Sequence, residues 1–216
     1  MAKKQLPDVL PFLEANPVIP VVVIDNADDA VATGEALVAG GIHCAEVTFR
    51  TEAGREAVQK MSEVAGMTVG AGTVLNREWA EEAADLGAKF FVSPGWSEAV
   101  AEVAIERNIP YLPGLQTATE IMAALEYGTR AVKFFPGGEA GGLKMVRALR
   151  GPFPELLFVP SGGVNANNIT EWISDPAIAS VSGSWTVKRA LINEHKFEEI
   201  TRLSKEAIDK VKETAQ

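Results

Sequence analysis

Short runs of β-branched and aromatic residues alternate along the chain with longer segments whose apolar positions recur at helical spacing. The runs fall at 18–24, 44–49, 68–71, 89–92, 109–112, 131–135, 156–159 and 178–181. The helical segments fall at 27–39, 53–64, 77–86, 97–106, 118–127, 143–149, 167–173 and 187–192. Gly40, Gly41, Gly87 and Gly128 stand at expected helix ends, where a positive φ closes the last turn. Asn76, Ser97, Thr117 and Asn165 stand near expected helix starts, where a side-chain oxygen accepts from free N–H groups. Eight strand–helix alternations predict a parallel α/β fold, and the number eight points to a closed (β/α)8 TIM barrel. An open doubly wound sheet also alternates strand and helix, but no G-x-G-x-x-G follows the first strand. Two pieces lie outside the eight units. Residues 6–14 predict a short N-terminal helix across the barrel bottom. Residues 197–212 predict a final amphipathic C-terminal helix, with Ile200, Leu203, Ala207, Ile208 and Val211 at helical spacing.

A length of 216 residues suits one barrel, so 1–216 reads as a single domain. With 47% hydrophobic and 23% charged residues, the composition is that of a globular protein rather than a disordered one. The net charge of −9 argues against nucleic acid as a partner, which would need a basic face. It leaves room for a local basic pocket that takes a small anion. One cysteine, Cys44, excludes an intramolecular disulfide and a thiolate metal cluster. Two histidines, His43 and His195, cannot by themselves build a three-histidine zinc site. Neither a metal nor a cofactor is expected. The start of the chain has two lysines but no apolar run behind them, so it reads as having no leader. No stretch approaches the ~18 uninterrupted apolar residues of a membrane span. The expectation is a cytoplasmic protein without a membrane partner.

Alternate residues of a barrel strand point inward, and the others meet the helices. In the second run Ala45, Val47 and Phe49 form an apolar set, so Glu46, Thr48 and Arg50 are expected inside. Arg50 would then stand about 13 Å above Glu46, at ~3.3 Å per residue. In the sixth run Val132 and Phe134 go outward, which turns Ala131, Lys133 and Phe135 inward. An ammonium there is costly. Burial favours the neutral amine, the form that attacks a ketone and begins a Schiff base. A simple ion pair with Glu46 is the bland alternative, and it would blunt the nucleophile. Lys89 is the competing lysine, but it opens its strand and is expected at the opposite end from active groups.

Gly70-Ala71-Gly72-Thr73, Ser93-Pro94-Gly95 and Pro113-Gly114 place small residues on successive strand tips, leaving room for a substrate. Ser161-Gly162-Gly163 follows the seventh run and Gly183-Ser184-Trp185 the eighth. Barrels frequently hold a phosphate between these two loops. Each tripeptide alone also reads as an ordinary turn.

Taken together and in order, Glu46-Val47-Thr48-Phe49-Arg50, Gly70-Ala71-Gly72-Thr73-Val74, Ser93-Pro94-Gly95, Lys133-Phe134-Phe135-Pro136, Ser161-Gly162-Gly163 and Gly183-Ser184-Trp185 form a motif set. It resembles that of the 2-keto-3-deoxy-6-phosphogluconate (KDPG) aldolase and 4-hydroxy-2-oxoglutarate (KHG) aldolase family. The resemblance implies a metal-free class I aldolase of the Entner–Doudoroff route, a homotrimer of (β/α)8 subunits acting on a small ketoacid phosphate. It implies that Lys133 forms the imine and that Glu46 is the general acid/base, acting through a water. It further implies that Arg50 and Thr73 hold the pyruvate carboxylate and that Pro94 and Phe135 line the pocket. Gly162, Gly163 and Ser184 would hold the phosphate. Ser161 stands where threonine is common in the family; it keeps the hydroxyl and loses the methyl, which bears on stereochemical choice. Gly137 replaces a usual alanine, and Ser182 a usual glycine. Three alternatives stand beside this reading. They are a pyruvate aldolase with another preferred aldehyde, a metal-dependent phosphate-sugar lyase or epimerase using Glu46 as a ligand, and a non-catalytic barrel in which Lys133 and Glu46 are a structural pair.

Overall fold

The computed structural model describes residues 5–214. The reading of the N-terminal lysines rests on residues outside that range, and the ends of the 1–216 domain lie outside it as well. In chain order the elements are α1 (Leu10–Ala15), β1 (Val18–Val22), α2 (Asp29–Ala39), β2 (Cys44–Thr48), α3 (Ala53–Met61), β3 (Thr68–Gly72), α4 (Arg77–Asp85) and β4 (Phe91–Val92). They continue with α5 (Glu98–Arg107), β5 (Tyr111–Leu112), α6 (Ala118–Leu125), β6 (Ala131–Phe134), α7 (Gly142–Arg150), β7 (Leu157–Pro160), α8 (Ile169–Ile173), β8 (Val181–Gly183), α9 (Arg189–Asn193) and α10 (Phe197–Thr214). Strands and helices therefore alternate as the periodicity predicts, and both flanking helices are present.

All pairings among the described strands are parallel. Six strands form a sheet in the order β5-β4-β3-β2-β1-β8, and β6 pairs with β7. The result is an α/β fold whose parallel strands curl into a half-barrel. Single bridges join the two sheets, Gly114 to Lys133 on one side and Phe158 to Ile178 and Ser161 to Ser182 on the other.

Two apolar layers follow from the two-residue period of the strands. Ala45, Val47, Phe49, Val132, Phe134, Phe158 and Val181 face the helices and join the larger core. Ile19, Cys44, Phe90, Val92, Leu112, Ala131 and Val159 face the concave side and close its lower end with Val9 and Leu13. Phe12 of α1 packs on Phe90 with ring centroids 4.3 Å apart. The N-terminal helix thus plugs the floor, although it starts at Leu10 rather than residue 6; Pro11 is in its first turn and Leu6 instead donates its N–H to Tyr127 O at 2.8 Å.

Several boundaries differ from the sequence reading. β4 and β5 are two residues each, shorter than the runs at 89–92 and 109–112. β8 begins three residues later than the apolar run at 178–181. Asp175 accepts from the Ala177 N–H through its side chain and from the Ile178 N–H through its carbonyl, which holds the first part of that run in a turn. Asn76, Ser97 and Thr117 cap α4, α5 and α6 as expected. Asn165 does not cap α8: its side chain accepts from the Asn167 N–H, and the helix starts later, after Asn168. Gly41, Gly87 and Gly128 have positive φ, whereas Gly40 is right-handed at −83°. No described helix is long and apolar enough to cross a membrane.

Candidate active site

Lys133 and Glu46 meet on the concave side. β6 carries Lys133 between outward-facing Val132 and Phe134, and β2 carries Glu46 between Ala45 and Val47. Lys133 Nζ donates to both carboxylate oxygens of Glu46, at 3.0 Å each. The side chains are only 4% and 2% exposed, so the pair is buried. The desolvated free amine expected from the sequence is therefore not the resting arrangement; the lysine is paired. One proton links the two groups across 3.0 Å. Moving it to Glu46 leaves a neutral amine beside a neutral acid, and neither form carries net charge. A nucleophile and its proton acceptor are thus already in contact.

The carboxylate reaches this position because β3 lacks a side chain there. A Cβ on Gly72 would lie 2.5 Å from Glu46 Cγ and Oε1. The bare position makes room for Glu46, which is a more specific use than the general clearance for ligand read from the sequence. Gly72→Ala is expected to displace the Glu46 carboxylate and lower kcat by roughly 10²-fold, the scale of a misplaced acid/base group. A fall in kcat with thermal stability nearly intact checks this, and an unchanged kcat contradicts it.

Above the pair, β2 ends at Thr48 and Arg50 lies in the following turn. The estimate of an extended strand to Arg50 fails for these last two residues. The guanidinium is exposed, and its Nε donates to Thr73 Oγ1 at 3.1 Å. Thr73 has φ +59°, a conformation that a β-branched residue rarely adopts. Such strain is held by surrounding structure and clusters at functional sites. Here it turns the hydroxyl toward Arg50.

Arg50, Phe135, Ser161, Gly162, Gly163 and Ser184 line one cavity of about 150 Å³, with Val21, Val164 and Gly183. Phe135 also sits over the lysine, with Nζ 5.6 Å from its ring centroid. Gly162 and Gly163 have φ +85° and +81°, which only glycine adopts freely. Their loop is laced to the end of β6 by Gly137 N–H to Ser161 O at 2.7 Å and Gly138 N–H to Gly162 O at 3.0 Å. Pro94 is not in this cavity; it lines a neighbouring one of about 180 Å³ with Leu75 and Trp96. Ser182 is buried beside Ser161, and its hydroxyl has no partner among the described residues. Lys89 is exposed, away from this constellation, and its backbone N–H bonds Val69 O. Cys44 lies on the concave side below Glu46, where burial pushes its thiol far up and the Glu46 carboxylate adds to the effect. His43 is exposed, with Nδ1 3.2 Å from Gly66 O, while Trp172 is buried. Among the described residues, no cluster of three or more His, Cys, Asp or Glu is placed to hold a metal ion.

A sequence model described as KDPG and KHG aldolase matches residues 10–203. The chain belongs to the KDPG and KHG aldolase family. A 2-dehydro-3-deoxy-phosphogluconate aldolase of Treponema pallidum is 42% identical over 91% of this chain and 94% of its own length. The KHG/KDPG aldolase of Escherichia coli is 38% identical over 93% of this chain and 95% of its own. Among solved structures, a KDPG aldolase of Legionella pneumophila superposes with a TM-score of 0.87 at 38% identity, covering 91% of this chain and 96% of that one. That enzyme holds pyruvate, captured at low pH, as a covalent carbinolamine intermediate. Gln116, which sequence reasoning passed over, also bears on the site. Its side-chain amide donates to the Phe135 carbonyl, and no local motif announces a bond of that kind.

Proposed function

We propose that this chain is a class I aldolase cleaving 2-keto-3-deoxy-6-phosphogluconate to pyruvate and glyceraldehyde 3-phosphate through an imine on Lys133, and that it also acts on 4-hydroxy-2-oxoglutarate. The observation that carries the reading is the buried Lys133–Glu46 contact beneath a cavity rimmed by Arg50 and two glycine-rich loops.

The reaction begins with transfer of the shared proton to Glu46. The neutral amine adds to the C2 ketone; one proton passes from the adduct nitrogen to the oxygen and Glu46 gives it a second, so that water leaves and an iminium forms. Glu46, again a carboxylate, takes the proton of the C4 hydroxyl. The C3–C4 bond breaks and its electron pair flows to the iminium nitrogen. Glyceraldehyde 3-phosphate departs and an enamine remains. Protonation at C3 and hydrolysis release pyruvate and restore the amine. Arg50, held by Thr73, anchors the ketoacid carboxylate as a charge-assisted pair. Gly162, Gly163 and Ser184 take the phosphate at the other end of the cavity, adding remote binding energy. Phe135 walls the space between, and Ser161 stands beside it with a hydroxyl for the bound chain. Pro94 belongs to the rim on the β4 side, outside the small cavity.

The same reading takes the bridged sheets to be a closed (β/α)8 barrel, the chain to be one domain over 1–216, the assembly to be a homotrimer and the location to be the cytoplasm. Neither metal nor cofactor enters the chemistry. Incubation with pyruvate and borohydride tests the proposal. One reduced pyruvate adduct is expected, mapped to Lys133, with kcat/KM higher for the phosphorylated ketoacid than for 4-hydroxy-2-oxoglutarate and unaffected by EDTA. A folded chain that acquires no adduct, or a rate abolished by EDTA, would overturn the imine mechanism.

A further inference from the structure

The parallel ladder between the β5 side and β6 continues past the end of β5. The Lys133 N–H donates to Pro113 O at 2.8 Å, and the Leu115 N–H donates to Lys133 O at 2.8 Å. Continued in the same register, the ladder would next ask the Thr117 N–H to donate to Phe135 O. That donor is engaged elsewhere. Thr117 and Glu120 form the capping box that opens α6, and the N–H groups of Gln116 and Thr117 both donate to Glu120 Oε2 at 2.9 Å. The backbone ladder therefore ends at the Leu115 rung, and the start of α6 offers the Phe135 carbonyl no backbone donor. The Gln116 side chain fills the gap, with Nε2 donating to the Phe135 carbonyl.

What that rung holds is part of the site. Phe135 is the first residue after β6 and two beyond Lys133, on the same face. Its ring lies over Lys133 Nζ and walls the cavity that faces Arg50 and Ser161. A carbonyl without its partner would free this segment to shift, and the ring would move with it.

We propose that Gln116 is a positioning residue for imine chemistry: its side-chain amide donates to a Phe135 carbonyl that the backbone ladder does not reach and so fixes the Phe135 ring against the Lys133 amine. Gln116 touches neither the lysine nor the carboxylate anchor; it acts through Phe135. The inference rests on the aldolase reading above, which it deepens.

Gln116→Met and Gln116→Glu keep the length of the side chain and remove the donor. Each is expected to lower both kcat and the rate of borohydride trapping with pyruvate by roughly tenfold, the value of one net hydrogen bond transmitted to the reacting geometry. KM for the phosphorylated ketoacid should stay within about twofold, since Arg50, Thr73 and the phosphate loops are untouched. Circular dichroism and thermal midpoints measured alongside should stay close to those of the unmodified chain. Unchanged trapping and kcat in both variants would overturn the proposal. So would a loss that only tracks the fraction of folded protein, or one confined to KM. The unmodified chain is trapped in parallel: if it acquires no adduct, the aldolase reading itself fails, whereas an adduct formed equally fast in all three proteins sinks only the role of Gln116.

Discussion

Lys133→Ala is expected to abolish turnover, with kcat falling by more than about 10⁵-fold, the scale on which a covalent nucleophile drops out of an enzyme. Among the described residues no other lysine is paired with Glu46. Lys89 is exposed and points away, and the concave side around Glu46 is otherwise occupied by apolar groups and hydroxyls. The substitution also removes the cation from a carboxylate that is 2% exposed. An unpaired buried carboxylate costs about 3–5 kcal/mol, so the variant should be less stable as well as inactive. Lys133→Met separates the two effects. Its side chain fills the same space, yet it has no nitrogen to form an imine. Both variants should give no borohydride adduct with pyruvate, by intact mass. Adding Glu46→Gln to Lys133→Met should restore much of the stability without restoring any adduct, because the double variant buries no charge. Turnover or trapping at a substantial fraction of the unmodified rate in either single variant would end the Schiff-base mechanism.

The parts of this site that could be read from the chain are those that depend on a strict period. Alternation along Cys44–Thr48 and Ala131–Phe134 is enough to put Glu46 and Lys133 on one face, because a one-residue slip would bury polar groups among the helices. Their direct pairing was a matter of competing energies. Burial penalises a lone ammonium, but two opposite charges 3.0 Å apart stabilise each other, and the second effect shapes the resting state. What could not be read depends on contacts across the fold. Nothing in a threonine signals φ +59°; Thr73 adopts it because the neighbouring backbone and Arg50 demand it. Gly72 looks like any small strand residue until Glu46 is seen to lie where its side chain would go. Gln116 matters because the backbone ladder ends at Leu115, where a capping motif readable from Thr117 and Glu120 starts α6, and the Phe135 carbonyl is left to a side chain. Strand ends were misjudged for a related reason. An apolar run such as that at 178–181 has the composition of a strand, yet Asp175 holds its start in a turn, Ile178 makes only a single bridge to Phe158, and continuous pairing with β1 begins at Val181.

Glu46→Gln is the second large effect, and its expected pattern differs from that of losing the lysine. The amide occupies the same volume beside Gly72 and can still accept a hydrogen bond from Lys133 Nζ, so the fold should survive. It cannot take the proton that frees the amine, nor return one to expel water, nor accept the C4 hydroxyl proton. General acid–base groups contribute about 10²–10⁴-fold, and three transfers through one residue place the expected loss in kcat near the upper end, about 10⁴-fold. The steps should not fail equally. A neutral amine, no longer paired with a carboxylate, can still add to the ketone, whereas expulsion of water from the adduct needs an acid. The variant should therefore accumulate the carbinolamine, the species held by the related Legionella pneumophila enzyme, and be trapped by borohydride only slowly. Single-turnover kinetics with pyruvate check this, since addition and dehydration separate in time. A kcat within about tenfold of the unmodified value, with no delay between addition and dehydration, would mean that another group or a bound water moves the protons and that Glu46 serves only to hold the lysine.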